Sequence, residues 1–243
     1  MCHADSIIKS EIFLKKLAIL QSNYIPWKGY FDIIGMADEF IIYDEVQYTK
    51  NDWRNRNRIK TSSGSQWLTI PVYRKSLNQK ISETKISDPK WNVKHWNTLK
   101  TNYSKASHFD NYSHDFEKFY RISKTQYLSQ INYSLIKLVC KNLGIKTKII
   151  SSSNYLLEGN STERLLNLCK QTDSKIYISG PAAKGYLNED LFNDQNIKIE
   201  WMDYSDYKEY PQIHPPFEHH VSIIDLLFNM GPISSNFMKF KDK

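Results

Sequence analysis

The segment from Leu17 to Asp44 constrains the fold most. Leu17-Ala18-Ile19-Leu20 is a short continuous apolar run, suited to a strand buried on both faces of a parallel sheet. Turn chemistry follows at Gln21-Ser22-Asn23-Tyr24-Ile25-Pro26-Trp27-Lys28-Gly29, punctuated by Asn, Pro and Gly. Tyr30 to Ala37 is an apolar stretch of helical period, and Glu39-Phe40-Ile41-Ile42-Tyr43-Asp44 reads as a second strand. Strand, glycine-bearing loop, helix and strand form a βαβ unit with a right-handed crossover. Ligands are then expected beyond the carboxyl ends of the strands.

The rest of the chain extends this pattern. Trp67-Leu68-Thr69-Ile70-Pro71-Val72 reads as a strand ended by its proline, and Ile81–Ile86 as a short strand inside a polar loop region. From Trp91 to about Cys140 apolar and aromatic residues recur at helical spacing, as at Trp96, Leu99 and Tyr103 and at Phe116, Phe119 and Tyr120; Gly144 is a stop signal. Lys146–Ser151, Lys175–Ser179 and Ile197–Trp201 read as strands. Ser161–Lys170, with Ser161 or Thr162 as N-cap, and Ser222–Phe228 read as helices. The fold class expected is α/β, a mostly parallel sheet of nucleotide-binding type with a helical insertion. Its parts are a lead-in at 1–16, an N-terminal α/β part at 17–90, the insertion at 91–143 and a C-terminal α/β part at 144–243.

Composition narrows the setting. A chain of 243 residues, 40% hydrophobic and 14% aromatic, buries a core without disulfides and is not disordered. Cys2, Cys140 and Cys169 are odd in number and form no CxxC pair, which argues for a reducing compartment and against a zinc finger. Cys140 sits in an apolar helical pattern and reads as packing. No apolar run reaches 18 residues and residues 1–16 lack a secretory h-region, so a cytoplasmic protein without an integral membrane segment is expected. The net charge of +7, spread along the chain, points to an anionic partner: nucleic acid, a membrane surface or a phosphorylated metabolite. No DNA-binding module is recognisable.

Four stretches carry candidate chemistry. The first is the loop after the leading strand, with Gln21, Asn23, Tyr24, Trp27 and Gly29 as candidate binding residues at a helix N-terminus that favours phosphate. Its layout resembles nucleotidylyltransferases and class I synthetases, but Trp27-Lys28-Gly29-Tyr30 stands where an H-x-G-H tetrad would open the helix. The second runs from Asp44 to Lys60. Alternation puts Arg54, Arg56 and Arg58 on one face of an extended segment and Asn55 and Asn57 on the other. With Lys50, Asp44 and Gln47 nearby, these cations suit a pyrophosphate; a solvated basic strand is the plain alternative. The third is Gly180-Pro181-Ala182-Ala183 with Lys184, a small-residue loop after a strand that suits an anion or plain packing. The fourth, Tyr210 to Asp225, holds His214, His219 and His220. His220 and Asp225 match H-x-x-x-x-D, a base and its orienting carboxylate, although i and i+5 diverge on a regular helix. A metal would need His214, His219 and an acid to converge, and none is assigned. P-loop, G-x-G-x-x-G, G-x-S-x-G and H-E-x-x-H motifs do not occur.

Together LAILQSNYIPWKGYFDII, DEVQYTKNDWRNRNRIKT, WLTIPV, TERLLNLCK, YISGPAAKGYL and FEHHVSIIDLLFNMG resemble the WbqC-like family from Leu17 to Gly231. The resemblance implies a cytoplasmic bacterial protein of O-antigen or other surface-polysaccharide synthesis. It implies an N-acyl or N-aminoacyl (for example glycyl) transferase acting on a nucleotide-linked amino sugar. The donor stays open between ATP/Mg activation, an aminoacyl-tRNA and an acyl-CoA. The family supplies no catalytic residues; chemistry assigns the base to His219 or His220 with Asp225, pyrophosphate contacts to Lys50, Arg54 and Arg56, and oxyanion donors to loop 180–183. Two alternatives remain: a nucleotidylyltransferase or adenylating enzyme with a degenerate motif, and a non-catalytic nucleotide-sugar-binding partner.

Overall fold

A computed structural model describes residues 14–242. Most of the expected lead-in, and Cys2 with it, lies outside the described residues. The elements are β1 (Lys16–Leu20), α1 (Lys28–Met36), β2 (Glu39–Ile42), β3 (Arg56–Thr61), β4 (Gly64–Thr69), α2 (Trp91–Tyr103), α3 (Phe109–Ile122), α4 (Leu128–Leu143), β5 (Lys148–Ser151), α5 (Ser161–Gln171), β6 (Ile176–Ser179), α6 (Glu189–Asn193), β7 (Lys198–Trp201) and α7 (Ile223–Met230). Short 3-10 turns complete the chain.

The main sheet has five parallel strands in the order β5-β2-β1-β6-β7. The chain steps outward from β1 through β2 to β5, then returns to β6 on the other side of β1 and continues to β7. Strand order therefore reverses between β1 and β6. Their carboxyl ends diverge into connections running to opposite sides, the place where open α/β sheets leave a ligand crevice.

Alternation along each strand builds two cores. Leu17, Ile19, Ile41, Tyr43 and Tyr177 face one side, under Leu165, Leu166 and Leu168 of α5 and Phe192 of α6. Ala18, Phe40, Ile42, Ile176 and Ile178 face the other, against Ile33 and Ile34 of α1 and the helices α2, α3, α4 and α7. A strand covered on both faces must be apolar at consecutive positions, which is why β1 reads as an unbroken run. Each such buried Leu, Ile or Phe contributes about 1.5–3 kcal/mol. Phe228 of α7 meets Tyr103, Phe109 and Phe116, fastening the helical layer to the C-terminal part.

Several expectations are corrected. β4 ends at Thr69 and pairs antiparallel with β3 in a separate two-stranded ribbon. Ile81–Ile86 forms no strand, only isolated bridges at its margins such as Val72 with Ile86. α5 is capped by Asn160 in a reciprocal box with Glu163, not by Ser161 or Thr162. Gly144 does end α4, at φ +72°, where a side chain would be strained. Cys140 and Cys169 are buried, and burial pushes both thiols up to about 12, so neither is a nucleophile. Among the described residues no helix is long and apolar enough to cross a membrane.

Candidate functional site

The loop from Gln21 to Trp27 leaves β1 at the strand-order reversal and is pinned from several sides. Tyr24 N–H donates to the Trp53 carbonyl at 3.0 Å. Asn57 Nδ2 donates to the carbonyls of Tyr24 (3.1 Å) and Ile25 (2.9 Å). That double clamp holds Ile25 at φ +36°, an unusual conformation for a β-branched residue, costing about 1–3 kcal/mol. Tyr24, expected to bind ligand, is instead fully buried. His95 Nε2 faces the Thr69 carbonyl at 3.2 Å, which only accepts, so Nε2 carries the proton. Nδ1 then accepts from the Tyr24 hydroxyl at 2.8 Å, and Tyr24 accepts from Tyr120 at 2.7 Å. Burial lowers His95 to about 4, keeping the ring neutral. This relay ties the loop to α2 and α3.

Above the loop lies a cavity of about 170 Å³ lined by Asn23, Pro26, Trp27, Trp53, Asn57 and His220. The Trp27 ring stands edge-on to Tyr204 (5.2 Å between centroids) and Tyr207 (5.7 Å) and tilts against His220 (6.1 Å). Gly29 makes room for that ring: a Cβ there would fall 2.4 Å from Trp27 Cζ2. The glycine therefore seats a wall of the cavity; it does not open the backbone to a ligand. Arg54 donates to Asn23 Oδ1 and, through Nη2, to Gln21 Oε1 at 3.1 Å, with Asp52 at 3.7 Å. Gln21, Asn23 and Arg54 thus form one hydrogen-bonded cluster at the carboxyl end of β1. Arg54 precedes β3 and turns into this cluster, whereas Arg56 and Arg58 share the outer face of the ribbon over Trp67. The expected alignment of all three arginines is corrected accordingly.

The segment 203–221 closes the cavity from the other side. His220 Nδ1 lies 3.4 Å from Glu218 Oε1, and its backbone N–H donates to the same oxygen at 2.9 Å. That backbone bond is the main reason Glu218 stays below the ordinary carboxylate range. His219 packs edge-on against Phe217 (4.6 Å); burial and then nearby Lys28 lower it. Asp225 does not join either histidine. It is fully buried in the first turn of α7 and accepts from Tyr210 (2.8 Å), Gln212 (2.9 Å) and Tyr103 (2.9 Å). Both oxygens are spent on holding α2 against the C-terminal segment, so the expected His220–Asp225 pair does not form. His214 Nε2 sits 3.1 Å from the Asn102 carbonyl, apart from His219 on its phenyl ring. Among the described residues no group of three or more His, Cys, Asp or Glu could hold a metal.

Other expected binding residues fall outside the cavity lining. Asp44 is buried below it, accepting from Ser22 N–H at 2.8 Å; burial raises its carboxyl, with Ser22 and Arg54 pulling the other way. Gln47 donates to the Leu77 carbonyl and Asn55 to the Ile70 carbonyl, both structural bonds. Lys50 is exposed in the turn before Arg54. Gly180 follows β6, and a Cβ there would meet the Tyr204 side chain no nearer than its hydroxyl at 3.6 Å, so no close approach requires it. Lys184 lies 5.4 Å from the Trp201 ring centroid. The expected oxyanion loop is depleted of donors: Pro181 has no N–H, and that of Ala183 is bonded to the Gly180 carbonyl.

Sequence reasoning passed over Trp53, Asn57, Glu218 and Lys28 as individual site residues. Asn57 had a signal in the alternation of β3. Lys28 had none: it is buried next to the lining residue Trp27 in sequence, its ammonium 4.5 Å from the Tyr207 ring centroid and 5.4 Å from that of Tyr210, and burial lowers it to about 8.

The geometry defines an α/β protein with a mostly parallel sheet and a small aromatic-walled cavity over the loop that follows β1. A model described as the WbqC-like protein family matches residues 21–236, and the chain belongs to that family. It is 47% identical over 228 residues to the uncharacterized protein Rv1507c of Mycobacterium tuberculosis, covering 93% of this chain and 99% of that protein. No solved structure matches the chain.

Proposed function

We propose that this protein is a cytoplasmic transferase that places an acyl or aminoacyl group, such as glycyl, on the amine of a nucleotide-linked amino sugar bound for a bacterial surface polysaccharide. The observation that carries this reading is the cavity lining. Indole rings of Trp27 and Trp53 suit the C–H faces of a sugar ring, the amides of Asn23 and Asn57 suit its hydroxyls, and His220 suits a proton transfer. The polysaccharide setting is what the resemblance to the WbqC-like family implies, and it is part of the proposal.

In the reaction the sugar ammonium loses a proton to His220, and the free amine attacks the donor carbonyl. The C–N bond forms as the donor's ester C–O or thioester C–S bond breaks, and the departing oxygen or sulfur takes up a proton. Glu218, beside His220 Nδ1, holds the ring so that its other nitrogen serves the substrate, the part first assigned to Asp225. Arg54, oriented by Gln21 and Asn23, offers a fixed guanidinium to phosphate.

The test is direct. The protein is incubated with a dTDP- or UDP-linked amino sugar and, separately, glycyl-tRNA, an acyl-CoA, or glycine with ATP and Mg²⁺. Mass spectrometry should show the nucleotide sugar gaining the acyl mass with one donor, and His220→Ala should lower kcat about 10²–10⁴-fold. No mass gain with any donor, or full activity in His220→Ala, contradicts the proposal. Pyrophosphate release from ATP without sugar would favour the adenylating alternative. The structure offers that reading less, since Trp27 is wedged among aromatic rings and Tyr30 donates to the Gln21 carbonyl at 3.0 Å.

A further inference from the structure

The cavity is too small for a whole nucleotide sugar. Sites that enclose drug-sized ligands measure about 300–1,000 Å³, against about 170 Å³ here. Read as a sugar site, it leaves the nucleotide outside. Of the lining residues, Trp53 leads directly to further exposed aromatic surface. It is 41% exposed, as is Trp67 on β4, and their ring centroids lie 5.4 Å apart at 38°. Trp67 pairs across the ribbon with Arg58, and the guanidinium carbons of Arg56 and Arg58 lie 4.2 and 5.5 Å from its ring centroid. Among the described residues neither arginine has a carboxylate oxygen within 4 Å, in contrast to Arg54, although Arg58 acts on Glu218 and Arg56 on Asp52 from further away and Arg56 donates to the Asn51 carbonyl. Two half-exposed indoles with two planar cations beside them match a π-face joined to phosphate.

We propose that Trp53, Trp67, Arg56 and Arg58 form a nucleotide subsite on the outer face of the β3–β4 ribbon, holding the base and diphosphate of the substrate whose sugar enters the cavity. The inference rests on reading the cavity as a sugar site. The base stacks on the indole pair, and the diphosphate bridges from Arg58 and Arg56 toward Arg54 at the cavity rim. Lys50 remains outside this set.

Calorimetric titration with UDP and dTDP tests the subsite without the sugar. Base–aromatic stacking is worth about 1–3 kcal/mol, so Trp67→Ala should raise Kd about five- to 150-fold. Trp67→Phe should restore most of the loss. Arg58→Ala should weaken binding and flatten its salt dependence. Unfolding midpoints of these surface variants should match the parent protein. In the transfer assay Trp67→Ala should raise KM and leave kcat unchanged. Undiminished UDP and dTDP affinity in folded Trp67→Ala overturns the subsite while amide formation, if present, still upholds the transferase. Trp67-dependent UDP binding with no amide formed upholds the subsite and removes the transferase. A short single-stranded oligonucleotide bound more tightly than either nucleoside diphosphate would make the ribbon a single-strand platform and overturn the assignment.

Discussion

Gly29→Ala separates two accounts of the loop by the sign of its effect. Gly29 is the second residue of α1 and carries no positive φ, so on helix propensity alone alanine would stabilise by up to about 1 kcal/mol. Packing says the opposite. The new methyl would lie 2.4, 2.7 and 2.8 Å from three atoms of the Trp27 ring, and must be relieved by roughly 1 Å to reach ordinary contact. The ring cannot simply swing away, because Tyr204, Tyr207 and His220 surround it. Overpacking of this kind costs about 1–3 kcal/mol, leaving a net loss of up to about 2 kcal/mol. Displacing Trp27 also deforms the cavity wall. Urea unfolding should show a lower midpoint at unchanged slope, and titration with a nucleotide-linked amino sugar should show weaker binding. A stability gain with unchanged binding would refute the seating role of Gly29.

Tyr24→Phe leaves the Tyr120 hydroxyl and His95 Nδ1 buried without their shared partner and should cost about 1–3 kcal/mol in urea unfolding. Asp225→Asn should lower the unfolding midpoint by a similar amount and spare kcat of the folded fraction, whereas His220→Ala, at an exposed position, should shift stability by less than about 0.5 kcal/mol while lowering kcat about 10²–10⁴-fold. Lys28 titrates at about 8 when folded and about 10.4 when unfolded. Between those values the unfolded chain binds a proton that the folded chain does not, so stability from this group rises with pH across that window. Lys28→Met should abolish that rise in urea midpoints compared at pH 7 and pH 10.

The sequence was legible where local pattern and tertiary setting agreed. β1 and β2 announced themselves because burial on both faces demands continuous apolar residues, and α4 because its stripe ends at a glycine that can adopt positive φ. The alternation of β3 correctly separated Asn57 from Arg56 and Arg58. It misplaced Arg54, since a period of two does not say where a strand begins, and two residues before β3 the side chain turns into the Gln21 and Asn23 cluster. The spacing from His220 to Asp225 looked like a dyad, yet Ser222 caps α7 between them and turns Asp225 toward Tyr103, 122 residues earlier in the chain. Such a partner leaves no local trace, nor do Tyr207 and Tyr210, which shelter Lys28.

A cavity that receives a nucleotide-linked amino sugar, with Arg54 bonded to its lining residue Asn23, should bind that ligand through the Arg54 guanidinium. Calorimetry of the parent protein and Arg54→Ala with a dTDP- or UDP-linked amino sugar tests it most directly. Binding should be saturable and one-to-one and should weaken at least about tenfold in Arg54→Ala, the loss of one charge-assisted pair. No binding by the parent protein, or equal affinity in the two, would contradict it.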